Sequence, residues 1–153
     1  MGGATNVGRF LDSFGPRGLN LGLAGLCDAG EEDIFRRGLQ RAGLGSSLTR
    51  AEMEGFGFYV CVSDLEDELI RALGVLGVES VIGAKGDLLS FRKFQDQPAW
   101  RSRPQEQQLR RFFGSQGGRK IQLAALLVDA LDLSRVPRPL DGVLTHALHT
   151  DSP

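Results

Sequence analysis

Two clusters of carboxylates, each directly after an apolar run, are the side chains in this sequence whose types and spacing best suit chemistry. Carboxylate oxygens are preferred ligands of hard cations such as Mg²⁺, which need few protein ligands and keep several waters. Such a cation at an open protein edge can polarise a phosphate that arrives from solvent. The clusters therefore predict a divalent-metal site with the ligands Asp28, Glu31, Glu32, Asp64 and Glu66.

Each cluster follows a segment with the composition of a buried strand. Leu21 to Cys27 is apolar, Phe56 to Val62 is aromatic and β-branched, and apolar residues at helical spacing follow each acidic turn. This order predicts an α/β fold with parallel strands and right-handed crossovers. Both acidic turns would then lie at one edge of the sheet. Because neighbouring strands are about 4.8 Å apart, Asp28 and the group from Asp64 to Glu66 could share one cation.

The same clusters also have the spacing of helix caps. Asp28 with Glu31, and Ser63 with Glu66, fit the capping box, in which the first side chain accepts from a helix N–H and the glutamate reaches back. Each cluster taken alone favours this structural role. Two clusters at equivalent strand ends favour a metal site, and the residues leave both interpretations open.

Positive charge is concentrated in the later part of the chain. Residues 28–87 contain 12 acidic and 6 basic residues, whereas residues 92–120 contain 8 basic and 2 acidic ones. A basic surface for nucleic-acid phosphates and ordinary solvated helix faces both explain this asymmetry. Arg110 and Arg111 belong to this basic segment, and so do Arg119 and Lys120. The last two begin a predicted helix, where their charges oppose the helix dipole and could help to hold an anion. The segment from Gly114 to Lys120 departs from the P-loop pattern, so no nucleotide site is expected.

Composition is that of an ordinary globular protein of one domain, with 153 residues, 41% apolar and 24% charged. The sequence contains neither a membrane-spanning apolar run nor a secretory leader, which predicts a cytoplasmic protein without a membrane partner. Cys27 and Cys61 are expected to be reduced core residues, and His146 and His149 to lie at the surface.

The chain is predicted to divide into an α/β part and a helical part, with further helices outside the two strand–helix units. The α/β part is predicted to span residues 1–87, and a helical part packed on it to span residues 88–153. The predicted helices outside the strand–helix units are Val7 to Phe14, Leu88 to Phe94, Glu106 to Phe113, Lys120 to Leu131, which is apolar on most sides and expected to be buried, and Leu140 to His149.

Three motifs, in this order, carry a family resemblance: Gly25 to Glu32, Ser63 to Leu69, and Gly118 to Lys120. The sequence resembles the TOPRIM domain of the OLD-family endonucleases, which are often called ATP-dependent endonucleases. The match continues through Phe91 to Pro98 and Val136 to Leu140, and so covers nearly the whole chain.

The resemblance implies a partial TOPRIM-like, Rossmann-like parallel sheet with flanking helices. It also implies DNA cleavage that depends on two Mg²⁺ or Mn²⁺ ions. The matching catalytic positions are Asp28 for the Asp-x-Asp element, Glu66 for the acidic residue after the next strand, and Lys120 for the lysine that steadies the scissile phosphate. Such a lysine would offset negative charge that develops in the transition state.

The sequence departs from this family in two places. The family's first strand, which ends in an essential glutamate, would precede the present chain, and Gly30 stands where the second aspartate of Asp-x-Asp is expected. The chain is therefore expected to be an amino-terminally truncated form or a remnant that binds without cutting. An ATPase domain or a partner chain in trans, or a second copy in a homodimer, could supply what is missing.

Three functional hypotheses follow. The first is a metal-dependent DNA endonuclease, and the second is a non-catalytic module that binds nucleic acid or protein through the basic segment Arg92 to Lys120. A phosphoacceptor domain with Asp28 as the receiving carboxylate ranks last, because no acidic pair follows an earlier strand.

Overall fold

The computed structural model describes residues 4–114 and 119–150, and for residues 119–122 and 150 it describes the backbone alone. The described chain is mostly helical and contains one two-stranded parallel sheet. It forms two compact units: a first unit of Met1–Leu65 with Pro137–Pro153, and a second unit of Glu66–Val136. No helix among the described residues has both the length and the apolar character needed to cross a membrane.

The elements follow one another as α1 (Val7–Phe14), β1 (Gly25–Cys27), α2 (Glu32–Arg41), α3 (Arg50–Gly55), β2 (Phe58–Val60), α4 (Leu65–Ala84), α5 (Leu88–Gln95), α6 (Gln105–Gly114), α7 (Arg119–Asp129) and α8 (Arg138–Thr150). Short 3₁₀ turns precede α1, α2 and α8. Helix α4 is interrupted at Gly74, whose φ of 70° is compatible with glycine and breaks the helical backbone.

Strands β1 and β2 run parallel, with Gly25 opposite Phe58 and Cys27 opposite Val60. Backbone hydrogen bonds from Gly25 N–H to Gly57 O (3.0 Å) and from Cys61 N–H to Cys27 O (2.9 Å) extend the pairing at both ends. The predicted parallel pairing is therefore confirmed. The pairing brings the carboxyl ends of both strands to the same edge of the sheet.

Both strands are shorter than the predicted Leu21 to Cys27 and Phe56 to Val62. The N–H groups of Leu19 and Leu21 instead donate to Ser13 O (3.0 Å) and Phe14 O (2.8 Å) at the end of α1. Those carbonyls lack partners inside the helix, so the following chain satisfies them and cannot join the sheet there. Leu21 is consequently exposed.

The core of the first unit is formed where α1 and α2 pack on the sheet. Leu39 and Met53 are fully buried, and the rings of Phe35 and Phe58 meet at 6.2 Å. Helix α8 packs against both strands, and Gly142 lies so close to the ring of Tyr59 that a side chain would not fit there. Helix α8 therefore belongs to the same compact unit as the sheet.

The second unit is held together by aromatic side chains. Phe91, Phe112 and Phe113 are buried, and the rings of Phe91 and Phe112 meet at 5.1 Å. In α7 only one stripe, Leu123 and Leu127, is buried among the side chains that the structure describes. The expectation that this helix is buried on most sides was wrong, because apolar residues on its other faces, including Leu126 and Val128, are exposed.

Candidate functional site

The two acidic turns meet at the carboxyl edge of the sheet. The Ala29 N–H donates to Ser63 O at 2.8 Å, and the Leu65 N–H donates to Oδ1 of Asp28 at 3.3 Å. Each turn follows its strand directly, and the parallel register places the two turns side by side. The edge therefore carries hard oxygen donors from two separate parts of the sequence.

Asp28 has a structural role at this edge. Asp28 and Glu31 form a capping box at the 3₁₀ turn that leads into α2, with a long contact of 3.4 Å from the Asp28 N–H to Glu31 Oε2. The predicted capping role of this first pair is confirmed. The Asp28 carboxylate additionally accepts from the first turn of α4, a contact that the capping-box pattern does not contain.

Glu32 is engaged by arginines. Its Oε2 accepts from Nε (2.8 Å) and Nη2 (2.6 Å) of Arg50, and its Oε1 accepts from Arg36. The hydrogen bonds from Arg50 hold the pKa of Glu32 below its usual value, against the opposing effect of burial. Glu32 therefore ties α3 to α2, and metal binding at this side chain would require the ion pairs to be exchanged.

The second cluster is divided between the two units. Asp64 is half-buried in the turn before α4 and belongs to the first unit. Glu66 is half-buried in the first turn of α4 and belongs to the second unit. The capping box predicted for Ser63 and Glu66 stays a prediction.

The oxygen donors at this edge are of the kind that a hard cation prefers, but too few of those that the structure describes are grouped to form a complete metal site. Asp28, Glu31 and Asp64 supply oxygen donors from adjoining turns, as Mg²⁺ and Mn²⁺ prefer. Within residues 4–114 and 119–150, no three or more His, Cys, Asp or Glu side chains are grouped so as to hold a metal ion.

Cys27 lies beneath the acidic edge. Both cysteines are buried and form no disulfide, so their predicted place in the core is confirmed. Burial, together with the negative charges of Glu31, Glu32 and Asp28, raises the pKa of the Cys27 thiol to about 12. The thiol is therefore protonated at neutral pH and is suited to packing rather than to nucleophilic chemistry.

The predicted nucleic-acid residues have different surroundings. Arg110 and Arg111 are both exposed on α6, but Arg110 forms an ion pair with Asp67 at 3.2 Å, whereas Arg111 forms none within the described residues. The side chains of Arg119 and Lys120, which the sequence singled out most strongly, lie outside the described residues.

Two features were missed by the sequence reasoning. An apolar cavity of about 470 Å³ lies beside β1, and Glu31 is the charged residue among those that line it. In the second unit, the buried side chain of Gln108 holds the loop before α6, which carries Trp100, Arg101 and Arg103. A lone tryptophan followed directly by Arg101 and then by Arg103 was the sequence signal for this loop.

The chain matches no protein-family model, no curated protein and no solved structure. The resemblance to the TOPRIM domain therefore stays a prediction that rests on the motifs themselves.

Proposed function

We propose that the carboxyl edge of the sheet binds Mg²⁺ or Mn²⁺ and that the chain is a TOPRIM-type domain acting on DNA phosphodiester bonds. The observation that supports this proposal is the hydrogen bond between Leu65 N–H and Asp28 Oδ1, which joins the two acidic turns. A bound cation would supply Lewis-acid polarisation of a phosphate oxygen.

The residues of the first unit have separate roles in this proposal. Asp28, Glu31 and Asp64 would supply oxygens to the cation once their side chains are drawn together, and Glu32 fixes Arg50 and thereby α3 beside the edge. Glu66 and Lys120 belong to the second unit, and their catalytic roles are expectations of the resemblance. A carboxylate from an ATPase domain, a partner chain or a second copy would complete the site.

The test is nicking of supercoiled plasmid in Mg²⁺ or Mn²⁺ by the wild type and by Asp28→Asn. Asparagine keeps an oxygen that can accept from the Leu65 N–H, but it removes the charge that a cation requires. We expect activity to fall at least about a hundredfold in Asp28→Asn and in Asp64→Asn. The matched control is Asp12→Asn, an exposed position on α1. Equal activity in all these proteins would contradict the proposal. The variants Glu66→Gln and Lys120→Gln test the catalytic roles that the family resemblance implies for these two residues.

A second candidate function is non-catalytic binding through the basic segment 92–120. The observation that favours it is that Lys93, Arg101, Arg103 and Arg111 are exposed and form no ion pair within the described part of the chain. Unpaired surface cations release counterions from nucleic acid, so binding would weaken steeply with salt and would persist in EDTA. Binding that needs metal and ignores salt would contradict this candidate.

A further inference from the structure

Residues 97–104, which follow Asp96 in the loop between α5 and α6, have a backbone that hydrogen bonds hold in place. Trp100 N–H and Arg101 N–H both donate to Gln97 O (2.8 and 3.0 Å), and Arg103 N–H donates to Trp100 O (2.8 Å). Gln108, which is only 4% exposed, donates from Nε2 to Trp100 O (2.8 Å) and to Arg103 O (2.9 Å). Its Oε1 accepts from Gln95 at 2.6 Å. The loop is therefore ordered before any ligand arrives.

The cations of this loop differ from three helical arginines of the same unit. Arg71, Arg92 and Arg110 each pair with a carboxylate of the second unit. Arg101 and Arg103 are exposed and pair with no carboxylate of the described chain. The nearby carboxylates of Asp96 and Glu106 are exposed and form no ion pair with either arginine within the described residues. The loop thus presents two uncompensated guanidinium groups, which match phosphate oxygens in charge and geometry.

Trp100 lies in the same loop and is the single tryptophan of the chain. Its ring stacks on Phe94, with centroids 5.3 Å apart and an interplanar angle of 26°, and Phe94 in turn contacts Phe112 at 5.7 Å. Trp100 remains partly exposed although Phe94 covers one of its faces. Such a supported, partly exposed ring can extend its stack by one further flat group.

We propose that the loop of residues 97–104 binds single-stranded nucleic acid, with a base stacked on Trp100 and phosphates bound by Arg101 and Arg103. The inference rests on the second candidate function and names its site and its ligand class. Single strands are favoured over duplexes because only unpaired bases can leave their own stack for an aromatic side chain. An acidic protein segment would use the two arginines but would leave the aromatic platform without a partner.

The single tryptophan makes the contact directly observable. Titration of the full chain with a fifteen-nucleotide oligothymidylate should quench tryptophan emission, because a stacked base contacts the only emitting indole. A duplex of equal length should bind more weakly and quench less. Polyglutamate of matched charge should bind no more tightly than the duplex.

Variants separate stacking from charge. By fluorescence anisotropy of the labelled oligonucleotide, Trp100→Leu should weaken binding by about fivefold to a hundredfold, and Trp100→Phe by much less. Arg101→Gln combined with Arg103→Gln should make the slope of log K against log salt shallower by about 1.4, the value for two lost phosphate contacts. The charge-matched control is Arg9→Gln combined with Arg37→Gln, two exposed positions of the first unit. Circular dichroism and thermal unfolding verify that each variant is folded.

The outcomes are distinguishable. Quenching with a single-strand preference and loss in the loop variants alone supports the inference. Binding that the control pair weakens equally, or that occurs without quenching, overturns the inference and leaves the second candidate function standing. Tighter binding of polyglutamate assigns the loop to an acidic protein and also overturns it. Absence of any nucleic-acid binding removes the inference and the nucleic-acid form of the second candidate together, without bearing on metal-dependent cleavage.

Discussion

Leu65 donates its backbone N–H to Oδ1 of Asp28 at 3.3 Å, so a carboxylate at the end of β1 caps the helix that follows β2. The two residues are 37 positions apart in the sequence. We expect Asp28→Ala to lower the free energy of unfolding by about 1 kcal/mol, because the Leu65 N–H loses its acceptor. Asp28→Asn should stay within about 0.5 kcal/mol of wild type, since asparagine caps nearly as well. Urea denaturation followed by circular dichroism measures both values, and an Asp28→Ala protein as stable as wild type would contradict the capping role.

The ion pairs of Glu32 predict a pH dependence of stability. Hydrogen bonds from Arg50 lower the pKa of Glu32 in the folded state. A carboxyl whose folded pKa is depressed stabilises the fold at pH above its unfolded pKa, about 4.3, and loses this contribution as the pH falls through the folded pKa. Glu32→Gln should therefore lower the free energy of unfolding at neutral pH by at most about 1 kcal/mol, because Arg50 is half exposed. The difference from wild type should shrink progressively below about pH 4.3.

A matched variant tests whether this effect belongs to the ion pairs. Glu106 is exposed on α6 and forms no ion pair within the described residues. Glu106→Gln should leave stability nearly unchanged across the same pH range. If Glu106→Gln and Glu32→Gln gave the same pH profile, general charge rather than the arginine contacts would explain the result.

Cys27 should be unreactive in the folded protein. Its burial and its raised pKa of about 12 leave almost no thiolate at pH 8. We expect labelling by a disulfide reagent to be at least about a thousandfold slower than that of a free thiol, and both cysteines to react promptly in urea. Mass spectrometry of peptides assigns the labelled position. Rapid labelling of Cys27 without denaturant would show that the acidic edge opens readily.

Gly57 precedes β2 with a φ of 85°, and a Cβ atom there would collide with the ring of His146. His146 is accordingly half-buried, whereas His149 is exposed as predicted. Gly57→Ala should lower the free energy of unfolding by about 1 to 2 kcal/mol from the left-handed backbone alone, and by more because of the collision. Gly86→Ala is the control, since Gly86 has a φ of 83° and open space around it. Equal losses of free energy of unfolding in both variants would show that His146 and α8 move aside without an energetic cost.

Gln108 fixes the loop that carries Trp100 through buried hydrogen bonds. Gln108→Leu keeps a side chain of similar length but leaves the carbonyls of Trp100 and Arg103 without this donor. We expect a loss of about 1 to 3 kcal/mol and faster tryptic cleavage after Arg101. Gln107→Leu, at the exposed neighbouring position, should change neither property. Unchanged proteolysis of Gln108→Leu would argue that the backbone turns alone hold the loop.

The sequence by itself determined those features that depend on neighbouring residues. The bounds of α1 were predicted from apolar spacing and from Gly15-Pro16, and the structure reproduces them as Val7–Phe14. The two strand–turn–helix units and their parallel order were likewise predicted, because periodicity and connection length are local properties. The capping box of Asp28 and Glu31 belongs to the same class, since its two residues are three positions apart.

Tertiary structure alone decided which distant groups meet. Glu32 could be predicted as a metal ligand or as a helix residue, but its partner Arg50 is 18 positions away, and Arg138 reaches Glu54 across 84 positions. The packing of α8 on the sheet and the exposure of half of α7 are equally invisible to local patterns. A carboxylate has the same local signature whether it meets a guanidinium, a helix N–H or a cation. Its partner is selected by packing of the whole chain, which no short window of sequence contains.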